Sequence, residues 1–190
     1  MKNIKYDLVV FGATGFTGRL VAEYLVQEYG VKNEKFIWAI AGRDNKKLED
    51  IKIYLSEIDS ESKNLPIIIA DSYDRNSLDG ITSISRVVIS TVGPYLKYGK
   101  LLVESCASNG TDYCDLTGEV PFIRESIDFY DVLAKKNNCR IIHSCGFDSV
   151  PSDIGVLVLQ KEAESKFGKP CDQIKFYARG MKGGPSGGTI

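Results

Sequence analysis

Three glycines at three-residue spacing, Gly12, Gly15 and Gly18, break the apolar stretch Val9-Val10-Phe11 and give way to a helical pattern at Arg19-Leu20. Peptide amides in such a loop bind anions without any help from side chains. Gly12 suits a sharp turn off a strand, Gly15 lets the backbone approach a pyrophosphate closely, and Gly18 lets the first helical turn pack against a sheet. The helix that follows aims its free N–H groups and the positive end of its dipole at the phosphates. A glycine triplet alone is a weak signal, but here a strand precedes it. Leu20, Val21, Tyr24, Leu25 and Val26 after it fall on one broad helical face. The segment reads as strand, phosphate loop and helix, with Gly12, Thr14, Gly15, Phe16, Thr17 and Gly18 around a dinucleotide.

Other residues with chemical potential stand at the ends of apolar runs. Ala41-Gly42-Arg43 closes the second run, where an NAD-preferring site places an acid on the ribose 2'-hydroxyl. Arginine there favours NADP, because its planar guanidinium matches a 2'-phosphate that an aspartate would repel. The competing reading has Arg43 capping a helix or pairing with Asp44. The GxxGxxG spacing is the variant seen in many NADP-using Rossmann enzymes. Asp71, at the end of the third run, is placed to accept from an adenine amino group or a neighbouring loop N–H, or else to cap the next helix. Thr91, Val92, Gly93 and Pro94 form a tight apolar loop where the nicotinamide ribose should pass. Two later loops, Asp115 to Glu119 and Ser144 to Asp153, bring carboxylates to the nicotinamide side.

These residues need a scaffold, and the chain supplies one by alternation. Strands are expected at Tyr6 to Phe11, Phe36 to Ala41, Leu65 to Ala70, Arg86 to Thr91, Thr111 to Leu116 and Arg140 to Ser144, with Ile174 to Ala178 as a seventh. Helices are expected at Thr17 to Tyr29, after a cap at Asp44 or Asn45, at Asp74 to Gly80, Tyr98 to Ser108, Val120 to Lys136 and Val150 to Lys166. Ser60 to Asn64 reads as a polar loop. Strict alternation implies an α/β fold with a doubly wound parallel sheet of six to seven strands in the order 3-2-1-4-5-6. A dinucleotide then lies across the carboxyl ends of the strands.

Composition limits the partners. A chain of 190 residues that is 43% hydrophobic can bury one sizeable core, and a formal net charge of -1 leaves no electrostatic footprint for nucleic acid. The longest apolar runs are too short to span a bilayer, and no signal peptide is expected. Five scattered cysteines without a CxxC pair suggest reduced thiols in an intracellular, reducing compartment, either cytoplasmic or peripheral to an internal membrane. One histidine and dispersed cysteines give no metal-ligand spacing. His143, near the end of an apolar strand, is conceivable as a general acid but reads more readily as a satisfied, partly buried residue. Tyr95 with Lys97 and Tyr98 with Lys100 do not meet the TyrxxxLys spacing of a proton relay, so no catalytic residue is assigned.

Taken together, Gly12 to Gly18, Ala41-Gly42-Arg43, Ser90 to Tyr95, Tyr113 to Glu119 and Gly146 to Asp153 resemble the saccharopine dehydrogenase-like oxidoreductases. The resemblance covers nearly the whole chain, and the last three motifs are specific in their order and spacing. It implies an NADP(H)-dependent oxidoreductase acting on an imine or an enoyl, lipid-type substrate. The loops VGPY and GFDSVPSD place the chain closer to the family's enoyl reductases and its members of poorly known substrate than to its true saccharopine reductases. It also implies a second domain for substrate binding and dimerisation, with residues 1–180 as the dinucleotide-binding part and the glycine-rich 181–190 as the entrance to that domain. A small-molecule or lipid-like substrate and a homodimer are the partners this allows. An NADP-binding sensor or scaffold without turnover is the alternative that the phosphate loop and Arg43 equally permit.

Overall fold

Residues 6 to 11 are apolar at nearly every position because both faces of the strand they form are covered. In the computed structural model, which describes residues 3–180 apart from 35 and 178, β1 (Tyr6–Phe11) lies inside a six-stranded sheet. Its neighbours are β2 (Trp38–Gly42) and β4 (Ser85–Ser90), flanked by β3 (Ile67–Ile69) on one side and by β5 (Asp112–Asp115) and β6 (Ile141–Ile142) on the other. All five pairings are parallel and the order is β3-β2-β1-β4-β5-β6. The order reverses between β1 and β4, which opens a crevice at their carboxyl ends.

Strand alternation then decides what packs where. Leu8 and Val10 join Trp38 and Ile40 under α1 (Phe16–Tyr29) and α2 (Asn45–Ser56), with Ala22, Leu25, Leu48 and Leu55 supplied by those helices. Val9, Phe11, Val88 and Tyr113 face the opposite layer, built from α3 (Arg75–Thr82), α5 (Lys100–Asn109) and α6 (Val120–Lys136). Leu78, Ile81, Leu102, Val103 and Phe122 fill that layer. Each such side chain contributes about 1.5–3 kcal/mol on burial. The last helix, α7 (Val150–Phe167), is different: of its residues only Ala163 is buried, while Val150, Ile154, Val156, Leu157, Val158 and Leu159 are exposed.

Several expected boundaries move for physical reasons. The buried stripe of α1 is Gly18, Ala22, Leu25 and Val26, whereas Leu20 and Tyr24 are exposed. Gly80 does not stop α3, because Ile81 and Thr82 beyond it are fully buried and their packing outweighs the roughly 1 kcal/mol that an internal glycine costs. Asp44 rather than Asn45 caps α2, accepting from the Lys47 N–H. Residues Ser60–Asn64 tighten into a 3-10 turn capped by Asp59. The helix after β4 begins early, as α4 (Tyr95–Tyr98), and breaks at Gly99, where a Cβ would sit 2.7 Å from the Phe122 ring. Residues 174–177 form no strand and Ala178 lies outside the described residues, so the described sheet has six strands.

Among the described glycines the tightest setting is at Gly18, where a Cβ would lie 2.1 Å from the Gly12 carbonyl oxygen and 2.7 Å from the Thr91 hydroxyl. A Cβ at Gly15 would meet only the Gly12 oxygen, at 3.3 Å. Gly18→Ala should therefore destabilise the fold by about 1–3 kcal/mol, as overpacking does. Gly15→Ala should cost much less. Thermal denaturation of the two variants side by side measures the difference; equal losses would contradict this packing.

Candidate dinucleotide site

Gly12 leaves β1 with φ +94°, a conformation that side chains rarely adopt, and turns the chain towards α1. The Gly15 N–H donates to the Gly12 carbonyl (2.9 Å), and the Thr91 hydroxyl reaches the carbonyls of Phe11 and Gly12 at 3.2 and 3.1 Å. The glycine loop is thus tied across to the end of β4. At the start of α1 no side chain caps the helix and no acid occupies the first turn. The N–H groups of Phe16, Thr17 and Gly18 have no acceptor among the described residues. By contrast α2 and α3 begin on the capping carboxylates of Asp44 and Asp74. Free amide donors and the positive helix end together suit a bound phosphate.

The glycine turn that leads into α1 lines a cavity of about 330 Å³ at the carboxyl ends of the strands. The structure brings Gly12, Thr14, Gly15, Arg43, Asp71, Thr91, Val92 and Gly93 to its walls. Gly18 lies against the glycine turn itself. Phe16, Thr17 and Pro94 do not line the cavity, and Phe16 and Pro94 are exposed. Arg43 is exposed and forms no ion pair with a described residue, because Asp44 is occupied with its helix cap. Asp71 accepts from the Tyr73 N–H (2.9 Å), while Asp74 caps α3. The neighbouring-loop role and not the capping role therefore falls to Asp71.

On the other side of the crevice the later motifs interlock. Glu119 accepts from the N–H of Tyr95 (2.6 Å) through Oε1 and from that of Leu96 (2.8 Å) through Oε2, so the β5 loop clamps the loop after β4. Asp115 is fully buried and is the centre of a network. It accepts from the Tyr113 hydroxyl (2.8 Å) and from the N–H groups of Thr117 (3.1 Å) and Ser144 (3.2 Å). Its Oδ2 also lies 2.8 Å from His143 Nδ1, and His143 Nε2 lies 2.9 Å from Ser126 Oγ. His143 is thus a satisfied, partly buried histidine. The Tyr95 hydroxyl donates to the Ser90 carbonyl (3.0 Å), and burial together with the Asp115 carboxylate pushes that phenol well above its ordinary value. Burial also pushes the Cys114 thiol up to about 12. None of the five cysteines is in a disulfide.

Sequence reasoning did not anticipate Tyr73 and Tyr98 on the cavity wall, nor the pairing of Glu119 with the β4 loop. Tyr73 could have been found by its place two residues after a strand-end aspartate. The Glu119 contact spans 24 positions and depends on which strands are neighbours.

Comparison with known proteins agrees with this geometry. The profile of the saccharopine dehydrogenase NADP binding domain matches residues 8–142. The chain belongs to this family. Its cofactor is NADP(H). The donor set fits that cofactor on structural grounds too: unpaired amides where a pyrophosphate would lie, and an unpaired guanidinium where a 2'-phosphate would. The trans-acting enoyl reductases of Mycobacterium leprae and Mycobacterium tuberculosis are each 38% identical to this chain over 187 residues. Another Mycobacterium tuberculosis protein is 42% identical over 186 residues. Each match covers 98% of this chain but only 43% of the relative, so the chain spans less than half the length of these relatives. The apo saccharopine dehydrogenase (L-Glu forming) of Saccharomyces cerevisiae shares the fold, with a TM-score of 0.62 at 20% identity, over 84% of this chain and 32% of that one. Among the described residues no helix is long and apolar enough to cross a membrane.

The Glu119 clamp has a measurable consequence. Glu119→Ala leaves two N–H groups without their carboxylate acceptor, and should cost about 1–3 kcal/mol of stability and weaken nucleotide binding. Glu119→Gln, which keeps one carbonyl acceptor, should recover part of both. Denaturant unfolding and NADPH titration of the two variants test this, and wild-type behaviour in Glu119→Ala would contradict it.

Proposed function

We propose that the full-length protein is an NADPH-dependent oxidoreductase that reduces the activated carbon-carbon double bond of an enoyl, lipid-type substrate. The observation that carries the reading is a pair of unpaired groups around one crevice: the first amides of α1, which follow the glycine turn on the cavity wall, and the guanidinium of Arg43 on that wall. Gly12, Thr14, Gly15, Phe16, Thr17 and Gly18 hold the pyrophosphate, the helical residues through their backbone. Arg43 takes the 2'-phosphate and Asp71 faces the adenosine. Thr91, Val92, Gly93 and Pro94 form the wall beside the nicotinamide ribose. The bound cofactor supplies the hydride.

The chain's own residues orient that cofactor and exclude water from one side of it. Tyr95, His143 and Glu119 are each engaged in internal hydrogen bonds, which favours a proton donor elsewhere in the full-length protein. We assign residues 1–180 to the dinucleotide-binding domain and 181–190 to the start of a substrate-binding and dimerising domain. The greater length of the relatives and the exposed apolar side chains of α7 support this division. The free thiols suit a reducing intracellular compartment. The neutral charge balance argues against a nucleic-acid partner.

Two outcomes follow. Arg43→Ala should remove most of the preference for NADPH over NADH, a loss of about tenfold or more for a charge-assisted phosphate contact. Paired titrations with the two nucleotides measure it. In full-length protein, NADPH should be consumed with an enoyl thioester and not with an imine. Consumption only with the imine would overturn the substrate assignment, and tight NADPH binding with neither acceptor reduced would favour a non-catalytic binder.

A further inference from the structure

Residues from three separate strand ends meet at one end of the cavity, with Lys97 beside them over the Tyr98 ring. Arg43 follows β2, Tyr73 follows β3, and Lys97 and Tyr98 belong to α4 after β4. Arg43, Tyr73 and Tyr98 line the cavity together with Asp71. The two tyrosine rings meet edge to face, with centroids 5.4 Å apart and an interplanar angle of 62°. The Lys97 ammonium lies over the Tyr98 ring, 5.0 Å from its centre.

Arg19, Lys52, Arg75, Arg86 and Lys100 each pair with a carboxylate. Among the described residues neither Arg43 nor Lys97 does. The carboxylate on this wall, Asp71, is turned to the Tyr73 N–H and so fixes the loop that carries that ring. The positive field reaches the cavity wall: the Lys97 ammonium, and more weakly the Arg43 guanidinium, hold the Tyr98 phenol below its ordinary value. Two unneutralised cations around an aromatic pair form a site for a phosphate dianion attached to a flat heterocycle.

We propose that Lys97 is a second specificity-determining cation, acting with Arg43 on the 2'-phosphate of NADP(H), and that Tyr73 and Tyr98 form the wall against which the adenine lies. The proposal rests on the dinucleotide reading of the cavity. It adds a residue from α4, which Glu119 holds in place by its first two amides. Lysine contributes a mobile point charge here and arginine a planar fork. NADH lacks the phosphate, so loss of Lys97 must separate the two nucleotides, whereas loss of the ring must not.

The test is equilibrium titration of the full-length protein with NADPH and with NADH, for the unmodified chain and for Lys97→Gln, Lys97→Arg, Tyr98→Ala and Arg43→Ala. Lys97→Gln should weaken NADPH about tenfold, with NADH changed by less than about twofold, and added salt should shrink the difference. Lys97→Arg should keep most of the affinity. Tyr98→Ala should weaken both nucleotides alike, roughly five- to tenfold, as loss of a stacking wall does. If Lys97→Gln leaves NADPH unchanged or weakens both nucleotides equally, while Arg43→Ala still selectively loses NADPH, the Lys97 assignment is overturned and the dinucleotide reading stands. If Tyr98→Ala changes neither, the aromatic wall is overturned. Failure of the unmodified protein to bind either nucleotide overturns the reading beneath both.

Discussion

The seating of Gly18 against the carbonyl of Gly12, with no room for a Cβ between them, sets the position of much that surrounds the crevice. It seats α1 on the turn that leaves β1, with its first amides directed outward. The Thr91 hydroxyl, bonded to the carbonyls of Phe11 and Gly12, extends the contact to β4. The turn after β1, the start of α1 and the sequence-distant end of β4 are therefore fixed to one another where the strand order reverses. A side chain at position 18 would separate them, and the donors that face the cavity would lose their common origin.

The part of the crevice beyond β4 depends on a different physical device. Here the sheet ends in short strands, β6 having only two residues. Few backbone ladder bonds are available to hold the loops, and buried polar side chains take over that function. Asp115 gathers donors from its own strand, from the following loop and from the chain after β6. Such a network is stable only when every member is satisfied. That requirement ties Tyr113, Thr117, His143 and Ser144 to one another and explains why a strand-end aspartate here is structural although it sits among motif residues.

The alternation of apolar runs made the sheet order, the helix layers and the glycine loop legible, because burial on both faces of a parallel strand leaves a continuous apolar signature. Helix α6 is found at its expected limits, since Pro121 and the basic Lys135 and Lys136 mark its two ends. Short strands were less legible: Leu65 and Pro66 lie before β3, and Phe36 and Ile37 before β2, although the carbonyls of Pro66 and Ile37 still accept from the neighbouring strands at Ile40 and Asp7. In the candidate site, residues defined by backbone geometry or strand-end position, such as Gly12 and Arg43, could be read directly. Tyr98 and Glu119 could not, because their positions follow from the path of α4 and from the neighbour relation of β4 and β5.

That neighbour relation has a consequence for motion. Because one carboxylate holds the amides of Tyr95 and Leu96, those two protons exchange with solvent when the Glu119 contact between the loops after β4 and β5 breaks. The two amides thus act as a built-in gauge of the crevice. Their exchange rate reports how often its far wall opens, independently of any chemistry carried out inside it.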